Sequence, residues 1–177
     1  MIRLLHEGMD VEPMRAALAN HPELWDRHPD RTAPVDSPHH GLSDIWARYA
    51  DPKTLQADGS HDSIWYPVAD LLPVRGLVFP LMTATRGERL GGVLITRIRP
   101  GQQCKPHTDP GWHARHYDKY AVQIEAAPEQ CFHFERQSLV TKPGDVFWFD
   151  NAHTHWVTNE SQVDRITMIV CIQTERN

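Results

Sequence analysis

The sequence is short of cysteine, of net positive charge and of long apolar runs, and each shortage removes a class of protein. Its three cysteines, Cys104, Cys131 and Cys171, are odd in number and lack Cys-x-x-Cys spacing, which argues against a disulfide framework and against a zinc knuckle. They read as ordinary thiols. A net charge of -5 and a pI near 6.2 give no electrostatic footprint for nucleic acid or for an anionic membrane surface, so neither is expected as a partner. No apolar stretch approaches the length that spans a bilayer, and the first residues, MIRLLHEGMD, are interrupted by charge before a secretory core could form. A cytoplasmic location is the expectation. Internal repeats and low-complexity tracts are also missing.

What is present is a soluble globular composition, with 40% apolar and 23% charged residues over 177 positions, enough for one domain with a sizeable core. We expect a single domain, 1–177, in which a helical and irregular part, 1–89, packs on a β core, 90–177. In the first part Asp10 to Ala19 suits a short helix with Asp10 as its N-cap. Pro22, Pro29, Pro34 and Pro38 make Asn20 to Gly41 a long ordered loop. SDIWARY, residues 43 to 49, reads as a short extended or mixed segment, and the stretch after Pro73 as a helix that Pro80 kinks or ends. From Leu90 onward the texture changes. LGGVLITRIRPG, KYAVQIEA, CFHFE, DVFWFD, HWVTN and DRITMIVCIQT are rich in Val, Ile, Thr and aromatics and are separated by turn chemistry such as Lys142-Pro143-Gly144-Asp145. This pattern predicts an all-β sandwich, barrel or jelly roll.

Twelve histidines are unusual, and most sit in polar loops where exposure explains them. A few are placed for chemistry. In KPHTDPGWH, His107 and Asp109 are two apart, so in extended chain they project to one face and can approach the same metal ion. Alone this pair is weak evidence. After the strand DVFWFD, His153 and His155 share a face in the same way, and either one completes two histidines and a carboxylate, the facial triad of non-haem iron(II). If HWVTN and DRITMIV form a hairpin about Glu160, Arg165 lies opposite His155 and shares its face. A guanidinium in that interior needs an anion, and its planar fork suits the carboxylate of an organic acid. The structural alternative pairs Arg165 with an internal acid such as Glu125.

The motifs HTD, PGDVFWFDN, HWVTNES and DRI together resemble the core of the aspartyl/asparaginyl β-hydroxylase family, within the iron(II)- and 2-oxoglutarate-dependent dioxygenases. The resemblance runs from about Leu90 to Thr174 and implies a double-stranded β-helix. It selects His155 over His153, implies a metal set of His107, Asp109 and His155, and makes Arg165 the residue that binds the distal carboxylate of 2-oxoglutarate. A hydroxyl residue eleven positions before the first histidine assists there in the family, and Thr96 fits. Some members replace the acidic ligand by glycine, while this chain keeps Asp109. The strand that meets the other end of 2-oxoglutarate in the family corresponds here to Lys119, Tyr120 and Gln123, of which Lys119 and Gln123 are the candidate contacts.

The expected activity is therefore that of an iron(II)-dependent dioxygenase using dioxygen and 2-oxoglutarate to hydroxylate an unactivated C–H bond. The substrate is a small molecule or peptide, amino-acid-like or a peptidyl Asp or Asn. Trp112, His113 and Arg115, in the polar segment after the metal motif, are candidates for substrate contact, with Trp148 as the strand aromatic that lines the site. Trp46, Arg48 and Tyr49 could reach the pocket, but a Trp and a Tyr beside Ile45 are more often packing residues. The alternatives are a cupin-type metal enzyme without 2-oxoglutarate and a non-catalytic module that binds a small acid or a metal. Oligomeric state is not legible.

Overall fold

Strand-forming texture produces strands wherever the sequence carries it. The computed structural model describes residues 1–175, and in chain order their elements are β1 (Ile2–His6), α1 (Glu12–Asn20), β2 (Ser43–Ala50), β3 (Ser63–Trp65), α2 (Val74–Thr85), β4 (Gly87–Ile98), β5 (Gln103–His107), α3 (Gly111–His116), β6 (Asp118–Glu125), β7 (Gln130–Phe134), β8 (Gln137–Leu139), β9 (Val146–Phe149), β10 (His155–Asn159) and β11 (Arg165–Thr174). The larger sheet has the order β1-β9-β6-β11-β4-β2-β3 and the smaller one β5-β10-β7-β8. Every pairing is antiparallel. The inner faces of the two sheets meet over Ile98, Ala121, Phe147 and Phe149 from the larger sheet and Cys104, Phe132, Phe134 and Val157 from the smaller. This is the double-stranded β-helix.

The central strands of the larger sheet, β6, β11 and β4, are covered on both faces, and the period of two sorts their residues. In β11, Ile166, Met168, Val170 and Ile172 join the outer core under α1 and α2, while Arg165, Thr167 and Ile169 border the interior. Ile95 and Val93 of β4 and Val122 and Ile124 of β6 face outward with them. Each such side chain contributes roughly 1.5–3 kcal/mol on burial, so a one-residue slip of β11 would exchange this whole set for the polar one. Register is thereby strongly specified.

Three expectations are corrected. The hairpin of HWVTN with DRITMIV does not exist: β10 pairs with β5 and β7, and β11 with β4 and β6. A strand as long as β11 with apolar residues on its outer face takes partners along both of its own edges inside the larger sheet, β4 and β6, and β10 is already flanked in the other sheet. The chain changes sheets at Asn159, whose amide donates to Ile98 O and Val163 O, both at 2.8 Å, and accepts from Ser161 N at 3.1 Å and Ser161 Oγ at 2.7 Å. His155 and Arg165 thus meet across the sandwich, not across a hairpin. Secondly, the first 89 residues do more than pack on the core, since β1, β2 and β3 are strands of the larger sheet. Thirdly, α1 starts at Glu12 after Val11, although Asp10 Oδ1 still accepts from Glu12 N at 3.1 Å.

Two smaller outcomes concern proline and glycine. Helix α2 runs through Pro80 to Thr85, where proline removes one helical hydrogen bond without ending the helix. The Lys142-Pro143-Gly144-Asp145 segment is a turn, closed by Asp145 N to Lys142 O at 3.1 Å. Gly144 has φ +88°, and a Cβ there would lie 2.6 Å from Met9 O.

Candidate active site

His107 ends β5 and His155 opens β10, and the ladder places them directly opposite one another. Their rings lie 4.4 Å apart between centroids. Asp109 follows in the loop, fixed by its N–H to Asn151 O at 3.0 Å. The ligand atoms of His107, Asp109 and His155 all lie within 4.8 Å of one another. His107 Nδ1 meets Lys105 O at 2.7 Å and His155 Nδ1 meets His153 O at 2.9 Å. A carbonyl only accepts, so both Nδ1 atoms carry protons and both rings can present Nε2 to a metal. His153, by contrast, is turned outward to Asp150, with its side chain 70% exposed.

The charges are arranged around Asp109. Lys119 Nζ lies 2.9 Å from Asp109 Oδ2 and His107 Nε2 lies 3.5 Å from Oδ1. Burial works against the carboxylate, but Lys119 and His107 outweigh it and hold Asp109 below the usual range. Burial likewise opposes charge on His107, and the hydrogen bonds to Asp109 and Cys104 overcome it, raising the ring to about 10. His155 is pushed down by burial. A divalent ion would replace the shared proton of His107 and Asp109, so the donor set fits a facial two-histidine, one-carboxylate site. His39, Cys104 and His107 form a second close set, but His107 Nδ1 on that side is committed to Lys105 O.

Arg165 enters the same cavity from the opposite sheet. It is 1% exposed. Its Nη1 donates to Thr141 Oγ1 at 3.1 Å, while Nη2 is buried without a partner. Burial lowers it to about 10, so it is still a cation at neutral pH. The alternative partner Glu125 faces outward toward Arg15, at 3.5 Å.

Two of the expected cosubstrate contacts are corrected. Gln123 is absent from the cavity wall; its Nε2 donates to Glu125 O and Ile166 O at 2.7 and 2.9 Å, and its Oε1 accepts from Thr141 and Thr167. It therefore positions Thr141 behind Arg165. Thr96 does line the cavity, but its hydroxyl donates to Asp44 Oδ1 at 2.9 Å and accepts from Arg31 Nη2 at 2.8 Å, leaving no proton for a carboxylate. Among the substrate candidates, His113 borders the adjoining chamber. Trp112 instead stacks on His116 at 4.7 Å, and Arg115 is exposed. Trp148 packs in the outer core, because the strand's alternation sends Phe147 and Phe149 inward.

Residues 77–175 match the model of the family described as aspartyl/asparaginyl beta-hydroxylase. The chain belongs to this aspartyl/asparaginyl β-hydroxylase family. No curated protein matches it. Solved structures similar to it include a viral collagen prolyl hydroxylase from Paramecium Bursaria Chlorella virus-1 in complex with 2OG, with TM-score 0.59 and 10% identity over 99% of this chain and 96% of that one. An oxidoreductase of the 2OG-Fe(II) oxygenase family from Burkholderia pseudomallei has TM-score 0.58 and 15% identity over 99% and 100%. A Pseudomonas putida prolyl-4-hydroxylase has TM-score 0.55 and 12% identity over 99% and 93%. At these identities the likeness establishes the fold.

The part of this β-hydroxylase family member that precedes the matched segment contributes site residues no motif announced. Arg31, from the proline-rich loop, binds Asp44 through Nε to Oδ2 and Nη2 to Oδ1, both at 2.9 Å. Asp44, on β2, is fully buried. Arg31 Nη1 donates to His39 Nε2 at 3.2 Å, so His39 Nδ1 carries the proton and faces Cys104 Sγ at 3.1 Å. Burial, then Arg31, push His39 down to about 2. Alternation along SDIWARY could have placed Asp44 and Trp46 on one face; nothing in the loop marked Arg31 or His39.

Proposed function

We propose that this chain is an iron(II)- and 2-oxoglutarate-dependent dioxygenase that hydroxylates an unactivated C–H bond of an amino-acid-like substrate, free or peptidyl. The observation that carries the reading is the buried, unpaired Nη2 of Arg165 in one cavity with three converging metal donors. A cation desolvated to this degree without a carboxylate partner calls for an anionic ligand, and a linear diacid that chelates a metal at one end supplies one at the other. In this reading His107 and His155 Nε2 and one oxygen of Asp109 hold the iron. An iron(II) held there would supply the redox chemistry by which dioxygen converts 2-oxoglutarate to succinate and carbon dioxide and hydroxylates the substrate. Arg165 binds the far carboxylate. Lys119, 2.9 Å from Oδ2 of Asp109, would keep that carboxylate ionised and oriented. Phe132, Phe149 and Val157 line the cavity and exclude water from it.

The family name points to Asp or Asn as the hydroxylated residue, and both belong in the first screen. The test is anaerobic addition of iron(II) and 2-oxoglutarate, which should produce the visible charge-transfer absorption of a metal-chelated 2-oxo acid. Under air, a substrate should then stimulate succinate release. Absence of the absorption at saturating iron and 2-oxoglutarate would refute the assignment.

A further inference from the structure

A second chamber adjoins the metal cavity and shares Arg31, His39, Asp109 and Lys119 with it. Its far wall is built from Trp46, Tyr49 and His113. The backbone is shaped to make that wall. In β2, Trp46 pairs with Leu94 but Arg48 pairs with Val93, so an extra residue is accommodated between them. A bulge of this kind changes the alternation: Tyr49, and not Arg48, returns to the face of Trp46, with ring centroids 4.4 Å apart. Arg48 lies on the other side over Trp65, at 5.3 Å.

The Gly91-Gly92 pair of β4 has a matching role. A Cβ on Gly92 would stand 3.2 Å from Tyr49 and 3.5 Å from His113, and one on Gly91 would stand 2.9 Å from the Tyr117 ring. The two glycines let a row of rings lie close against the strand. Gly92 N also donates to His113 Nε2 at 3.3 Å, which requires that nitrogen to be unprotonated and the ring neutral.

The charges at the border of the chamber are already compensated. Arg31 is held by both oxygens of Asp44, and Lys119 by Asp109. Among the described residues lining this chamber, no cation is left for a second carboxylate, and the remaining walls include Leu94 and Ile169. We propose that this chamber receives the substrate's side chain, that the side chain is apolar and bulky, aromatic or branched aliphatic, and that Trp46 and Tyr49 determine this specificity. The inference rests on the metal and 2-oxoglutarate reading above. It departs from the Asp or Asn substrate that the family name suggests.

The test uses the intact chain with iron(II) and 2-oxoglutarate under anaerobic conditions. Free L-Phe, L-Leu, L-Asp and L-Asn, and their N-acetyl amides, are titrated by calorimetry, and each is then assayed for stimulated succinate release under air. Phe or Leu, free or capped, should bind about tenfold or more tightly than Asp or Asn, and Trp46→Ala or Tyr49→Ala should remove about that advantage, as expected for loss of a buried ring contact. The effect should fall on amino-acid binding and leave the charge-transfer titration with 2-oxoglutarate in place. Preference for Asp or Asn, binding of none of the probes, or unchanged ranking in both variants overturns the proposal. If the variants do not fold, the ranking by the unaltered protein decides. Loss of the charge-transfer signal in the unaltered protein is a different failure, which removes the metal reading and this inference with it.

Discussion

Replacing Arg165 by methionine should change stability and cosubstrate binding in opposite directions. Burial holds the guanidinium at about 10 against an ordinary 12.5, and at 1.36 kcal/mol per pH unit this corresponds to a cost of about 3 kcal/mol for keeping it charged in the ligand-free fold. The side chain is 1% exposed, so solvent relieves little of that cost. Methionine fills much of the same volume without charge, and Thr141 keeps its bond to Gln123 at 3.0 Å. The ligand-free Arg165→Met protein should therefore gain about 1–3 kcal/mol in urea unfolding, the range seen when buried ions give way to apolar residues. Loss of a buried charge-assisted contact costs about 2–5 kcal/mol in binding, so 2-oxoglutarate affinity should fall by at least about thirtyfold. The affinity is read from the anaerobic charge-transfer titration. A variant that loses stability in the ligand-free state and binds 2-oxoglutarate as the parent does would refute the argument that this cation is held for an anion.

Three more outcomes are expected. Asp109→Ala strands the Lys119 ammonium and should destabilise the metal-free protein by about 3 kcal/mol, with Lys119→Met in the same chain restoring most of it; urea titrations in which the double variant is no better than the single would count against the pairing. Asn159→Ala removes the bonds that carry the chain from one sheet to the other and leaves Ile98 O short of a donor, for a loss of about 2–3 kcal/mol, whereas a change below about 0.5 kcal/mol would assign the corner to the backbone alone. Burial depresses His113 to about 3 from an ordinary 6.5, so the unfolded chain takes up its proton first as pH falls. The corresponding stability is complete above pH 6.5 and is lost progressively toward pH 3, at up to about 1.4 kcal/mol per pH unit. His113→Gln should flatten the dependence of unfolding free energy on pH in that window, and an unchanged slope would contradict it.

The hairpin about Glu160 shows how a sound conclusion can be reached through wrong geometry. Spacing alone suggested that His155 and Arg165 share a face, and they do share a cavity, but from strands in different sheets. A turn and two β-rich runs look the same in sequence whether the runs pair with each other or part company at a corner. The difference lies in the side chain of Asn159, which binds Ile98 O on β4, an acceptor that local patterning does not reveal. Trp148 carries a similar lesson. Alternation put Phe147 and Trp148 on opposite faces, but only the position of β9 between β1 and β6 decides which face is interior.

By itself the sequence determined the β-rich half, six of its strands though not β5 or β8, and the residue types with the right spacing for a metal and an organic anion, because period-two patterning and short motifs are local properties of a chain. Tertiary structure decided everything that needs two distant segments to meet. It turned Gln123 into a support for Thr141, used the Thr96 hydroxyl on Asp44, and brought Arg31 and His39 to the cavity, with Asp44 buried behind Arg31, from a stretch that looked like covering loop and packing strand. It also gave Tyr49 a place on the inner face through one extra residue in β2. Hydrogen-bond saturation and burial depend on what arrives from elsewhere in the chain, and no window of neighbouring residues records it.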